Sequence, residues 1–251
     1  MVKVSGITEL RALGVKVHSL GMDEAVRRLE EFMKSDRLRL VITLGTEMVI
    51  RAEQDAEFRR LVDRADLVVP DGIGLVLASR YCGLPMPERV AGIDLIWRLS
   101  RELRPRLFLL GAAPGVAEQA ADRLRQNCPG LEIVGVQDGY FSDEEEVVAR
   151  IAGSGADVLL VGIGSPRQEQ FIDRHRDRLG VAVGIGVGGS FDVLAGRLRR
   201  APEWMIRLGL EWLYRLVSQP SRCLRMLALP KFLWRVLLAG RGAVTMGSSE
   251  G

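Results

Sequence analysis

The sequence predicts an α/β protein with a Rossmann-like, mostly parallel sheet flanked by helices. Short apolar runs rich in Val, Leu and Ile alternate with longer amphipathic stretches at the spacing of βαβ units. Glycine or proline follows most of these runs, as is common where a strand gives way to a turn. The predicted strands are 15–18, 38–43, 67–69, 106–110, 131–136, 157–162 and 181–187.

Amphipathic segments predict the helices between these strands. Asp23 opens a helix whose apolar residues recur at helical spacing. Two more helices are predicted at about 73–82 and 93–103, on either side of the proline-punctuated loop 83–89. Ser165 is expected to cap a later helix that has Pro166 at its first position.

The composition fits a soluble globular protein with one large domain, or one domain and an appendage. The chain has 251 residues, of which 47% are hydrophobic and 27% charged. Its three cysteines are widely spaced without a metal-ligand pattern, so we expect reduced thiols in the cytoplasm. No secretory signal and no apolar run of about 18 residues is present, so no membrane-spanning segment is expected.

The C-terminal part differs in charge from the rest, which predicts a core at 1–196, an appendage at 197–241 and a frayed end at 242–251. After residue 196, ten basic residues face three acidic ones, which gives +7 there and −4 in residues 1–196. Three of the four tryptophans also lie there, interleaved with arginines. This mixture favours contact with an anionic membrane surface.

Two alternatives remain for the same segment. It could dock on the body as a core helix pair, or form an oligomer interface, and some self-association is expected. Nucleic-acid binding is disfavoured because residues 1–196 are not basic.

Asp71 is the first candidate for chemistry. It follows the predicted strand 67–69 and Pro70, which ends the strand because proline has no N–H to donate. Ligands of open α/β sheets bind outside the carboxyl ends of the strands, so a carboxylate there faces a cleft. Gly72 and Gly74 are expected to let the chain turn tightly into the next helix. Asp71 is therefore either a general base or a helix N-cap.

Other polar residues also follow predicted strands. The run from Gly164 to Gln168 is a candidate helix terminus aimed at phosphate or sugar, with an ordinary βα turn as the alternative. Asp192 is either a second cleft carboxylate or a helix cap. Glu169 is expected to interact favourably with the helix dipole, since it lies in the first turn of a predicted helix. His18 and His175 are isolated, which favours structural roles. The chain has no Asp-x-Asp motif to hold a metal at a diphosphate.

Several of these segments together resemble the WecG/TagA/CpsF glycosyltransferases. The resemblance runs in order over about 40–225, most of the chain. It rests on Thr43-Leu44-Gly45-Thr46-Glu47, Val69-Pro70-Asp71-Gly72-Ile73-Gly74, Glu88-Arg89-Val90-Ala91-Gly92, Pro129-Gly130-Leu131 with Asp138-Gly139-Tyr140-Phe141, Val161-Gly162-Ile163-Gly164-Ser165-Pro166-Arg167-Gln168-Glu169, Gly188-Gly189-Ser190-Phe191-Asp192, and Arg200-Ala201-Pro202 with Gly209-Leu210-Glu211-Trp212-Leu213-Tyr214-Arg215.

The resemblance implies an inverting, metal-independent enzyme that needs no cofactor. Such enzymes move N-acetylmannosamine or a related sugar from a UDP-sugar onto a sugar linked to undecaprenyl diphosphate, at the cytoplasmic face of the membrane. Their products are teichoic acids and other cell-surface polysaccharides. Two alternatives are a nucleotide-dependent oxidoreductase using the turn 111–115, which lacks the G-x-G-x-x-G spacing, and a non-catalytic membrane-surface module.

The resemblance also assigns site residues. It makes Asp71 the base and places the other substrate-binding positions at Thr43, Gly45, Arg89, Gly164, Arg167, Gln168, Arg215, Arg222 and Arg225. Two positions depart from the family pattern, since Gly45 replaces an asparagine and Arg167 replaces a lysine. Arg167 keeps the charge, whereas Gly45 cannot supply an amide to a sugar.

Overall fold

The computed structural model describes residues 6–218 and 227–247 of the chain. Its centre is a six-stranded parallel sheet, which confirms the predicted α/β class. The strand order is β4-β3-β8-β7-β5-β6. In chain order the strands are β1 (Thr8–Ala12), β2 (Val15–Ser19), β3 (Arg39–Leu44), β4 (Leu67–Pro70), β5 (Leu107–Gly111), β6 (Ile133–Gln137), β7 (Val158–Gly162), β8 (Val183–Gly186) and β9 (Val244–Met246).

A second sheet has three antiparallel strands in the order β2-β1-β9. The strand predicted at 15–18 therefore exists as β2 but lies outside the parallel sheet. Within the expected frayed end at 242–251, Val244–Met246 form β9, in which Val244 pairs with Ala12 of β1. Residues 248–251 of that segment lie outside the described residues. The His18 ring of β2 accepts a hydrogen bond from the Val68 N–H of β4 at 2.9 Å, which joins the two sheets.

Helices occupy the segments between the strands. They are α1 (Met22–Phe32), α2 (Thr46–Gln54), α3 (Ala56–Arg64), α4 (Ile73–Tyr81), α5 (Gly92–Glu102), α6 (Val116–Asn127), α7 (Glu144–Gly153), α8 (Arg167–Arg174), α9 (Ser190–Leu194), α10 (Glu203–Arg207), α11 (Glu211–Ser218) and α12 (Ala228–Ala239). Several predicted boundaries shift by one or two residues, and the predicted cap of α8 is wrong by one, because Pro166 and not Ser165 holds the N-cap position.

The hydrophobic core lies on both faces of the parallel sheet. Alternate strand residues point to opposite faces, so Ile42 belongs to one apolar cluster and Val41 to the other. Burial on both faces explains why these strands read as nearly continuous apolar runs in the sequence. The polar and glycine residues that follow these runs in the sequence therefore lie at the ends of the strands.

The described part of the C-terminal segment packs on the body, so a separate appendage is not confirmed. In α12, Leu229, Phe232 and Val236 are buried at helical spacing, and Phe232 has no exposed surface. The side chains of Leu229 and Phe232 lie against Gly74 at the start of α4. For α12 the structure therefore agrees with the alternative in which the segment docks as a core helix.

Candidate active site

A cleft of about 660 Å³ lies at the carboxyl edge of the parallel sheet. Its walls come from the residues that follow β3, β4, β5, β6, β7 and β8, and from residues 198–200 and 209–212. This is the edge at which open α/β sheets bind ligands. Of the predicted site residues, it brings together Thr43, Gly45, Asp71, Arg89, Gly164, Arg167 and Gln168.

Asp71 lies on the cleft directly after β4. Its backbone N–H donates to the Leu44 carbonyl at 3.0 Å, which extends the pairing of β4 with β3 by one residue. The N-cap position of α4 belongs to Gly72 and not to Asp71. The carboxylate is therefore positioned by the end of a buried strand, on the wall of the cleft.

Thr43, near the end of β3, and Gly45, directly after it, form the neighbouring wall. Thr43 is buried, and its hydroxyl donates to the Gly186 carbonyl on β8 at 2.8 Å. Gly45 is the N-cap of α2 in an extended conformation. A Cβ added at Gly45 would meet only the Glu47 side chain, at 3.8 Å. The cleft is thus open at the position where the family pattern has an asparagine.

Arg89 joins the cleft to the C-terminal segment. Its Nη1 lies 2.7 Å from Oε2 of Glu211, the first residue of α11. Both side chains are largely buried, with exposed fractions of 17% and 5%. Arg89 is therefore not a solvated loop charge, and the ion pair holds the start of α11, with Trp212, at the cleft.

The segment from Gly164 to Gln168, after β7, forms another part of the cleft wall. Gly164, with a φ of +87°, makes the turn that leads to α8. Arg167 is the first residue of α8 and is exposed, so its charge is available to a ligand. Gln168 is almost wholly buried, and its Oε1 accepts from the Gly188 N–H at 3.0 Å.

Glu169 has a different environment from the one expected. It lies in the first turn of α8 but has no exposed surface. Burial raises the pKa of its carboxyl group, which favours the uncharged acid. A carboxyl group without exposed surface and with a raised pKa is not the solvated carboxylate that a helix-dipole role needs, so the expected role does not fit the structure.

Two arginines of the cleft were missed from the sequence. Arg199 and Arg200 both line it, and Arg200 makes a bidentate ion pair with Asp94 at 2.6 and 2.5 Å. The charges of Glu211 and Asp71 act on the same guanidinium. Arg200 lies in one of the motifs that carry the family resemblance, but the sequence alone gives no reason to place it beside Asp71.

The remaining candidates divide into three groups. Asp192 also lines the cleft, and the N-cap of its helix is Gly189. Arg215 belongs to α11, while Arg222 and Arg225 lie outside the described residues. His18 and His175 are buried, and both make hydrogen bonds to protein groups: His18 to the Val68 N–H, and His175 to Glu144 at 2.6 Å.

The glycine turn at 111–115 follows β5. A Cβ added at Gly111 would lie 2.5 Å from the Gly162 carbonyl carbon of the neighbouring strand β7. The glycine is thus required by strand packing. Close packing explains the residue without a bound dinucleotide, which weakens the oxidoreductase alternative.

Within residues 6–218 and 227–247, no group of three or more acidic, histidine or cysteine side chains is arranged to hold a metal ion. In the same residues, no helix combines the length and the apolar character that crossing a membrane requires.

Comparison with known proteins agrees with this arrangement. Residues 10–244 match the glycosyl transferase WecG/TagA/CpsF family, so the match covers the whole parallel sheet and every described wall of the cleft. The chain belongs to this family. It is therefore a glycosyltransferase, and most of the motifs that carry the family resemblance contribute residues to the cleft.

Two relatives of this WecG/TagA/CpsF glycosyltransferase come from Bacillus. A protein of Bacillus spizizenii is 39% identical over 209 residues, which cover 82% of this chain and 81% of the relative. A protein of Bacillus subtilis is 38% identical over 213 residues and 83% of each chain. Both are named N-acetylglucosaminyldiphosphoundecaprenol N-acetyl-beta-D-mannosaminyltransferase.

Proposed function

We propose that this glycosyltransferase moves N-acetylmannosamine, or a closely similar sugar, from a UDP-sugar to N-acetylglucosamine on undecaprenyl diphosphate. The names of the two Bacillus relatives support the sugar and the acceptor. The observation that carries the proposal is the position of Asp71 at the end of β4, on a cleft that Arg89, Arg167 and Arg200 also line. A carboxylate at a strand end, in a cleft that also holds arginines, suits a reaction that removes a proton and releases a diphosphate.

Asp71 acts as the general base. Its carboxylate takes the proton of the acceptor hydroxyl as that oxygen attacks the anomeric carbon of the donor. The bond from the anomeric carbon to the diphosphate oxygen breaks on the opposite face, so the anomeric centre is inverted and UDP leaves. A base of this kind contributes about 10²–10⁴-fold to the rate.

Cationic side chains and helix N–H groups stabilise the leaving diphosphate without a metal ion. Arg89 and Arg167 lie on the cleft, and the N-terminus of α8 adds the positive end of a helix dipole. Arg215, Arg222 and Arg225 are proposed to complete this set. Preorganised donors of this type are worth several kcal/mol in a site that excludes water, typically about 3–4 kcal/mol each.

The acceptor is a lipid, so the enzyme works as a peripheral protein at the cytoplasmic membrane face. Apolar side chains on the outer surface of the C-terminal segment support this placement, since Trp204, Trp234 and Leu238 are each at least 60% exposed. Together with the arginines and lysine of the segment they suit an anionic lipid surface. The product belongs to teichoic acid or related polysaccharide synthesis.

A transfer assay with a short-chain polyprenyl-diphosphate-linked N-acetylglucosamine tests the proposal. We expect one UDP-sugar of a panel to be used, EDTA to have no effect, and Asp71→Asn to lower kcat about 10²–10⁴-fold. The panel includes sugars larger than N-acetylmannosamine, because the cleft is open at Gly45.

Asp192→Asn is the matched control, because Asp192 is a carboxylate on the same cleft. It should keep most of the activity. Equal losses in the two variants would contradict the assignment of Asp71 as the base, and loss of transfer in EDTA would contradict metal independence. Binding of UDP, measured by calorimetry, should survive in Asp71→Asn.

A further inference from the structure

Glu169 is a buried carboxyl group next to a cleft residue, and the mechanism above does not use it. Its Oε1 accepts a hydrogen bond from Nε2 of Gln168 at 2.7 Å. Its Oε2 is buried and, among the described residues, has no partner at hydrogen-bond geometry, with the buried Ser165 hydroxyl as a polar neighbour. A fully buried acid that contacts one cleft side chain needs a physical explanation.

The carboxamide of Gln168 is oriented from both ends. Its Oε1 accepts from the Gly188 N–H at 3.0 Å, and its Nε2 donates to Glu169. The Gly188 N–H can only donate, so a flipped carboxamide would place two donors against each other. The bond to Glu169 uses one of the two Nε2 hydrogens, and among the described residues the other has no acceptor. Gln168 lines the cleft, where a ligand oxygen can supply one.

The neighbouring strand leaves room for this pair. A Cβ added at Gly186 on β8 would lie 2.7 Å from Nε2 of Gln168 and 2.8 Å from Oε1 of Glu169. The carbonyl of the same glycine accepts from the Thr43 hydroxyl. Gly186 therefore joins both walls of the cleft, and its missing side chain is what permits the contact between Gln168 and Glu169.

We propose that Glu169 is a positioning residue that acts through Gln168. Its buried carboxyl group accepts one N–H of the carboxamide and fixes it, so that the other N–H of Gln168 meets an oxygen of the sugar nucleotide. This inference rests on the proposed function for the ligand, whereas the fixed carboxamide is a property of the protein alone. A helix-dipole role would instead require a charged, solvated Glu169.

Two substitutions separate these roles. Glu169→Met keeps length and burial but removes the acceptor, whereas Glu169→Gln keeps an uncharged acceptor. We expect Glu169→Met to lower kcat/KM about 10²-fold, since small misplacements at a reacting site have effects of that size. Glu169→Gln should stay within about threefold of the wild type, because an amide oxygen replaces the carboxyl oxygen.

A double-mutant cycle then tests whether Glu169 acts through Gln168. In a Gln168→Ala background, Glu169→Met should have no further effect on kcat/KM. Equal effects in both backgrounds would overturn the proposal, as would an active Glu169→Met enzyme or a Glu169→Gln enzyme as impaired as Glu169→Met. Thermal unfolding of each variant shows whether it is folded.

A measurement without substrate keeps this inference separate from the proposed function. The side-chain amide signals of Gln168 are identified in ¹H–¹⁵N spectra by their loss in Gln168→Ala. We expect slow hydrogen exchange for them in the wild type and in Glu169→Gln, and fast exchange in Glu169→Met. Fast exchange in the wild type would overturn the inference even if transfer is observed. An inactive wild type with a protected Gln168 amide would instead contradict only the proposed function.

Discussion

Gly74 lies three residues after the candidate base, Asp71, and packs against the C-terminal helix α12. The sequence suggested that Gly72 and Gly74 provide a tight turn, but neither has a positive φ. A Cβ added at Gly74 would instead lie 2.5 Å from Leu229 Cδ1 and 2.7 Å from Thr46 Cγ2. The glycine is required because α12 and α2 approach the first turn of α4 closely.

Gly74→Ala should therefore destabilise the protein by about 1–3 kcal/mol through overpacking. Gly153→Ala is the matched control, because Gly153 is the last residue of α7 and has no atom within 4 Å of its added Cβ. That change should be neutral or stabilising by less than about 1 kcal/mol. Urea unfolding measures both. Equal stabilities of Gly74→Ala and wild type would mean that α12 packs loosely at this point.

Among the elements, α12 combines a buried and an exposed apolar face. Phe232 is completely buried, whereas Trp234, two residues later, is 62% exposed. The exposed face continues with Leu237 and Leu238. Apolar surface of this kind on a helix already docked by its other face is available for a lipid surface.

The two faces of α12 should respond to substitution in opposite ways. Phe232→Ala should destabilise the protein by about 3–5 kcal/mol because it leaves a cavity. Trp234→Ala should change the free energy of unfolding by less than about 0.5 kcal/mol, yet weaken sedimentation with anionic liposomes at low salt. Wild-type binding by Trp234→Ala combined with Leu238→Ser would contradict membrane contact through this face.

The sequence predicted the features of the fold and site that depend on local residue patterns, and it missed those that depend on contacts between distant parts of the chain. The strands at 38–43 and 67–69 were predictable because both of their faces are buried, and Asp71 because parallel strands place their carboxyl ends at one edge. β9 was missed because its pairing with β1 depends on contacts between the two ends of the chain. The ion pair of Arg89 with Glu211 was missed for the same reason, since 122 residues separate the partners.

The joint between the two sheets makes the stability of the whole molecule dependent on pH. Burial, assisted by the nearby charge of Lys16, lowers the pKa of His18 to about 3. The uncharged ring accepts the Val68 N–H, and Lys16 in the same strand donates to the carbonyls of Asp63 and Ala65. Protonation of His18 would remove that acceptor and place a second cation beside Lys16.

Acid should therefore lower the free energy of unfolding, because protonation of His18 disrupts the contact between the two sheets. In the unfolded chain the histidine takes up a proton below its ordinary pKa of 6.5, while in the folded protein it stays uncharged until about pH 3. The contribution of His18 is present above pH 6.5 and is lost as the pH falls, by about 2 kcal/mol between pH 7 and pH 5. His18→Asn, which keeps an acceptor but cannot titrate, should lack this component when urea unfolding is compared at the two pH values. Parallel losses of stability in wild type and His18→Asn would show that the ring is already charged, or exposed, in the folded protein.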